Sequence, residues 1–259
     1  MTHELRLFFV ALQFLTRVPV PRWVGHDPAW LNQSARHFPV VGLCVGAVSA
    51  LVLVAGHALF GPTVAVGLAM VASVLLTGAF HEDGFADTCD ALGGTVGRAR
   101  ALEIMKDSRI GAYGAVGLLL MLGLKAAVLA SLPLAAAVPA LLLAHTASRT
   151  AAVALIRVLP YAGDVEHAKA KPLAQRIGTA GVLVAVGWVA LAAVVLVWHQ
   201  PQQAQVVLTA LLLALAGTAW CGRWLRRRLG GYTGDALGAT QQITELLLLL
   251  GWLGALRAT

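Results

Sequence analysis

Seven runs of roughly twenty mostly apolar residues, at 38–60, 63–81, 110–131, 134–158, 178–198, 205–223 and 236–256, leave this chain of 259 residues few folds to choose from. A run of that length crosses about 30 Å of hydrocarbon as a helix, and a helix satisfies its own backbone polar groups where no water is present. Links such as Gly61-Pro62 and Leu132-Pro133 are so short that the runs they join must form tight antiparallel hairpins. Only 12% of the residues are charged and the mean hydropathy is +0.79, against about 25% charged in a soluble domain. The expected fold is all-α. It is one integral membrane domain, 1–259, with a polytopic bundle of about seven spans over 38–256 behind an N-terminal segment, 1–37.

That segment opens MTHELRLFFVALQFLTRVPVP, with Arg6 and Arg17 around a short apolar stretch and no small-residue cleavage site. It reads as an interfacial amphipathic helix offering Phe8, Phe9, Leu12 and Leu15 to lipid, and not as a removable signal. The basic residues fix an orientation. Arg6, Arg17, Arg22 and Arg36 precede the first run; Arg98, Arg100, Lys106 and Arg109 follow the second; Arg157, Lys169, Lys171 and Arg176 follow the fourth; Arg223, Arg226, Arg227 and Arg228 follow the sixth. The intervening links carry none, so the positive-inside rule puts the N-terminus and the three long connections in the cytoplasm and the C-terminus outside. The net charge of +7 is thereby explained by topology, with no nucleic-acid partner implied. Three scattered cysteines, Cys44, Cys89 and Cys221, suggest neither a disulfide framework nor a zinc site.

Against this background the carboxylates are concentrated. Glu82, Asp83, Asp87, Asp90, Glu103 and Asp107, half of the chain's twelve acids, lie in the connection 82–109. If the second run continues as a helix, Asp83, Asp87 and Asp90 stand at i, i+4 and i+7 on one face. Carboxylates so placed repel one another unless a cation holds them, and oxygen-only donors favour Mg²⁺ or Mn²⁺, whose shell substrate phosphate and water complete. A solvated acidic loop is the plainer alternative, but Gly84, Phe85, Ala86, Ala91 and Leu92 fill the places where such a loop would be polar. Gly93 and Gly94 then let the backbone come close to a ligand.

Further on, LEIMKDSRIGAYG carries Lys106, Asp107, Ser108 and Arg109, basic groups suited to phosphate oxygens or, equally, to ordinary anchoring beside the membrane. LGGYTGDALGA, 229–239, offers backbone N–H groups at Gly230, Gly231 and Gly234, with Thr233 and Asp235 at a helix start. Within the runs, Lys125, His145, Arg149 and Glu245 need partners or a wet cavity; Arg149 either reaches a substrate anion or pairs with Glu245. The connection 159–177, with Tyr161, Asp164, Glu166, His167, Lys169 and Lys171, is a solvated connector or a substrate-contacting lid.

The segments FHEDGFADTCDALGG, EIMKDSRIGAYG and GGYTGDALGA, together with FLTRVPVP and FPVVGLCVG, resemble the cobalamin synthase family, adenosylcobinamide-GDP ribazoletransferases, in order and spacing from the N-terminus to the seventh run. The resemblance implies a Mg²⁺-dependent, multi-pass enzyme of the bacterial inner membrane with its active site in the cytoplasmic connections 82–109, 159–177 and 224–235. It implies the joining of adenosylcobinamide-GDP to α-ribazole or α-ribazole 5′-phosphate, with release of GMP. On the matching positions it implies metal ligation by Asp83, Asp87 and Asp90, with a role for Glu82 left open. Lys106 and Arg109 would act on phosphate charge, and Ser108, Gly93, Gly94, Thr233, Gly234 and Arg149 would contact substrate. Asp90 is the residue expected to act as the base that takes the ribazole hydroxyl proton, with His81 and Asp235 as the other candidates. The partners expected are these small molecules and the lipid bilayer, and a homo-oligomer is compatible with the sequence. Two other readings stay open on the residues alone: a CDP-alcohol phosphotransferase-like enzyme, since DGxxDxxD is a shortened form of that motif, and a cation-coupled transporter.

Overall fold

The computed structural model describes residues 2–25, 27–163 and 174–258. Among the described residues the regular structure is helical, apart from one isolated bridge between Tyr161 and Tyr232. The helices are α1 (Thr2–Leu15), α2 (Pro28–Ser34), α3 (Phe38–Phe60), α4 (Pro62–Thr77), α5 (Phe80–Leu92), α6 (Arg98–Ile104), α7 (Ala112–Ala130), α8 (Leu134–Val158), α9 (Thr179–His199), α10 (Ala204–Leu229) and α11 (Gly234–Ala258).

Five stretches are long and apolar enough to cross a membrane: Ala29–Phe60, Ala112–Ala130, Leu134–Val158, Thr179–His199 and Pro201–Leu229. The remaining two expected spans come out differently. The second run ends at Thr77, and α4 and α5 form a pair bent by 89° that passes the same test only when taken together. Gly78 (φ 69°) and Ala79 (φ 58°) are both left-handed, and two such residues in succession end a right-handed helix and redirect the chain. The N-terminal segment holds this break: Arg17 N donates to Leu76 O at 2.8 Å. The Arg17 guanidinium lies so close over Gly78 that a Cβ there would collide with Nε. The acidic motif is therefore not a straight continuation of a span, and residues 82–92 are not loop.

The seventh run, α11, has the length to cross but carries Gln241, Gln242 and Glu245 in its middle, at 1%, 3% and 2% exposure. Helices with polar groups in lipid keep them inward, and α11 accordingly forms a central shaft packed on α5, α7, α8 and α10. Helix α8 is the other inner element, and α9 is the outermost, exposing Leu183, Leu191, Val194 and Trp198 on a face fit for lipid. Helix α3 crosses α8 through Gly42, where a Cβ would strike the carbonyl oxygen of His145, and Gly46, where one would lie tightly at 3.1 Å from Leu141 O. Small residues four apart bring helix backbones together in membranes in this way, which gives FPVVGLCVG a physical role.

Helix α1 also departs from expectation. Leu7, Ala11 and Leu15 are buried at 0%, 0% and 3% exposure, so Leu15 faces the protein and not lipid, while Phe8, Phe9 and Leu12 are half-buried. The helix docks on α2 and α3, with Arg6 4.9 Å from the Trp30 ring centroid.

Candidate active site

Helix α5 is the element around which the expected motifs gather. On one side its backbone meets the start of α11: a Cβ at Gly84 would lie 2.9 Å from Asp235 Cα, and one at Gly238 would lie 3.2 Å from His81 O. Thr233 caps α11, its hydroxyl accepting from Ala236 N at 3.1 Å, which leaves Gly234 and Asp235 in the first turn, where a carboxylate is favoured by the helix dipole. The seam thus places Asp83, Asp87 and Asp235 on neighbouring backbone. Ala substitution at Gly84 is expected to force α5 and α11 apart at about 1–3 kcal/mol. Thermal unfolding in detergent should show a lowered midpoint, whereas Gly123→Ala, whose Cβ would meet nothing within 4 Å, should show none.

On another side α5 meets α7. The Asp90 carboxylate accepts from Gly111 N and Gly114 N, each at 2.8 Å, capping the N-terminus of α7, and a Cβ at Gly114 would run into that carboxylate. Glycine at both ends of GAYG is what lets α7 start there. The C-terminus of α5 is held by Arg228, whose guanidinium donates to Leu92 O at 3.2 Å and Gly94 O at 2.9 Å. The Tyr161–Tyr232 bridge, with Ala162 N to Tyr232 O at 2.8 Å and Tyr232 N to Pro160 O at 3.0 Å, ties the end of α8 to the start of α11. In consequence the ends of α5, α8 and α10 and the starts of α7 and α11 meet at one end of the bundle.

Asp83 is exposed and Asp87 half-buried, one helical turn apart. Asp90 shares their face but its oxygens are occupied by α7, and Glu82, 6% exposed, points into the bundle, where Gln242 Nε2 donates to it at 3.0 Å. Among the described residues no three His, Cys, Asp or Glu side chains converge as a metal-holding group, so the four expected carboxylates do not form one cluster. His81 is 5% exposed. Lys106 and Ser108 are exposed. Arg109 forms a two-point pair with Asp107, Nη2 to Oδ2 at 2.7 Å and Nε to Oδ1 at 3.0 Å. That guanidinium holds the Asp107 carboxyl down at about 2. A lowered carboxyl keeps its charge above the ordinary carboxylate range, so the pair is intact at neutral pH and opens only as pH falls through about 2. Gly93 and Gly94 turn the chain out of α5. Of the connection 159–177, Asp164, Glu166, His167, Lys169 and Lys171 lie outside the described residues.

The intramembrane ionisable groups form one interior network. Glu245 pairs with Lys125 at 2.8 Å and lies 3.3 Å from His145 Nδ1; Lys125 also donates to Gln242 Oε1 at 2.8 Å. Arg149, 2% exposed, donates to His145 O at 3.1 Å, so it sits inside the bundle, and Glu245 is paired with Lys125. In the sequence Gly84 stands out only as a small residue between carboxylates and Arg228 only as one topogenic charge among several, while nothing singles out Gly238 or Gln242. The DG step of the acidic motif is the signal that points to Gly84; Arg228 is indistinguishable in sequence from its neighbours Arg226 and Arg227.

Fold and site define a polytopic helical membrane protein that presents carboxylates and basic side chains together at one end of its bundle. The chain belongs to the cobalamin-5-phosphate synthase family, whose sequence profile matches residues 7–253. It is 58% identical over 254 residues to the adenosylcobinamide-GDP ribazoletransferase of Leptothrix cholodnii, covering 97% of this chain and 96% of the relative. It is 45% identical to the proteins of that name from Albidiferax ferrireducens, over 97% and 98% of the two chains, and Vibrio cholerae, over 96% and 93%. No solved structure matches it.

Proposed function

We propose that this protein joins adenosylcobinamide-GDP to α-ribazole or its 5′-phosphate, giving adenosylcobalamin or its 5′-phosphate and GMP, with Mg²⁺ bound, at the cytoplasmic face of a bacterial inner membrane. The observation that carries the reading is the α5–α11 seam, which sets Asp83 and Asp87 beside Asp235 with basic residues on the adjoining connections. Membership of the family supports the substrates.

The donor set fits magnesium. Mg²⁺ is commonly held by one or two carboxylates and completed by substrate phosphate and water, so Asp83 and Asp87 suffice as protein ligands without a closed cluster. Bound there, the ion would supply charge neutralisation to the pyrophosphate. Phosphoryl-type transfer is chiefly positioning and electrostatics. Arg109, exposed while paired with Asp107, and Lys106 bear on the charge that develops on departing GMP, the guanidinium as a planar group and the ammonium as a point charge. The ribose 3′-hydroxyl of the ribazole attacks the phosphorus that stays with the corrinoid, and its proton needs an acceptor within hydrogen-bond reach. His81 is buried and the Asp90 oxygens cap α7; we assign the role to Asp235 for its place on the seam beside α5.

Withdrawing Mg²⁺ from purified protein with a chelator should stop ribazole-dependent GMP formation, and restoring the ion should recover it. GMP formation that continues under chelation would refute the metal assignment. Ion flux in proteoliposomes without GMP formation would favour a transporter.

A further inference from the structure

Beside the C-terminus of α5 lies an open cavity of about 500 Å³, a size that buries a drug-sized molecule. Cys89, Leu92, Gly93, Tyr113, Val116 and Trp224 are among the residues lining it, contributed by α5, α7 and α10, and its walls are almost wholly apolar. Two of them are aromatic. Tyr113 is 58% exposed and rests on Gly93, where a Cβ would lie 2.7 Å from the ring; that glycine is what allows the ring to lie against the end of α5. Trp224 stacks on Trp220 at 5.3 Å and 15°.

A basic side chain lies next to this cavity. Arg228 follows Trp224 by four residues on α10 and therefore shares its face. Its guanidinium is fixed by Leu92 O and Gly94 O, the first a carbonyl of a residue lining the cavity. An apolar, aromatic-walled recess with a guanidinium held on the carbonyl of one of its lining residues matches a nucleoside with a planar, weakly polar base and a phosphate: the base stacks on aromatic faces and the phosphate takes the guanidinium N–H groups that Leu92 O and Gly94 O do not engage. Cys89 and Leu92, two and five residues after Asp87, carry the recess along the C-terminal part of the same helix. A corrin macrocycle with its side chains is much larger than this space.

We propose that this recess is the α-ribazole subsite, with Tyr113 and Trp224 holding the benzimidazole and Arg228 the 5′-phosphate when it is present. The assignment rests on the ribazole-transfer reading above.

The test is steady-state kinetics of the full-length protein in vesicles, varying each substrate in turn. Trp224→Ala and Tyr113→Ala should each raise KM for α-ribazole about tenfold and leave KM for adenosylcobinamide-GDP unchanged. Trp224→Phe should restore most of the loss, and Arg228→Gln should raise KM for α-ribazole 5′-phosphate more than for α-ribazole. An unchanged ribazole KM in both alanine variants, or equal rises for both substrates, would overturn the subsite while leaving the function standing. Absence of any corrinoid product from the wild-type protein would instead sink the function. If the recess is a lipid site, the alanine variants should respond to acyl-chain length in the vesicles and not to ribazole concentration, which would also overturn it.

Discussion

Asp87→Asn protein, inserted normally in the membrane, is expected to form GMP about 10²–10³-fold more slowly than wild type at saturating substrate. Asp83→Asn should behave alike. Each change keeps the size of the side chain and removes the charge proposed to hold Mg²⁺, so α5 and its packing on α11 through Gly84 should be undisturbed. Because the loss is of metal affinity, raising Mg²⁺ should recover part of the rate in either single variant and little in the double variant. Asp90→Asn provides the contrast. Its amide can still accept one of the two N–H groups of Gly111 and Gly114, so its defect should be loosening of the start of α7, with no change in the Mg²⁺ requirement. Wild-type rates for Asp83→Asn and Asp87→Asn at limiting Mg²⁺ would contradict the metal assignment.

The largest effect on stability is expected inside the bundle. Glu245→Leu removes the carboxylate that faces Lys125 and His145 and leaves Lys125, 6% exposed, with Gln242 as its remaining hydrogen-bond acceptor. Breaking one side of a buried ion pair costs about 3–5 kcal/mol because the surviving charge is uncompensated. The variant should show a strongly lowered thermal midpoint in detergent, or accumulate as aggregate. Replacing both partners, Lys125→Met with Glu245→Leu, should recover much of the loss, since a well-packed apolar pair often matches a buried ion pair. A Glu245→Leu protein as stable as wild type would mean that the network does not hold α7 to α11.

How much of this was legible in the sequence depends on the distance over which each feature is decided. The helices themselves follow from local apolar runs, and the spacing of Asp83, Asp87 and Asp90 on one face is realised because α5 is continuous from Phe80 to Leu92. The bend that turns α5 by 89° was not legible: Thr77-Gly78-Ala79 differs little from tolerated mid-helix sequence, and what fixes it is Arg17, sixty residues earlier in the chain. Asp90 shows the same limit. Its spacing says metal ligand as well as it says cap, and only the arrival of Gly111 and Gly114 decides which bond it makes. Gln241 and Gln242 lower the hydropathy of the seventh run slightly, but they mark α11 as the inner shaft of the bundle, since amides buried in lipid must face partners.

The central claim is that ribazole attacks the phosphorus joined to the corrinoid and that GMP leaves. It is tested most directly by counting products from the purified protein in vesicles, supplied with adenosylcobinamide-GDP, α-ribazole and Mg²⁺. Adenosylcobalamin and GMP should appear in equal amounts and neither without ribazole; GDP as the nucleotide product, or GMP without adenosylcobalamin, would contradict it.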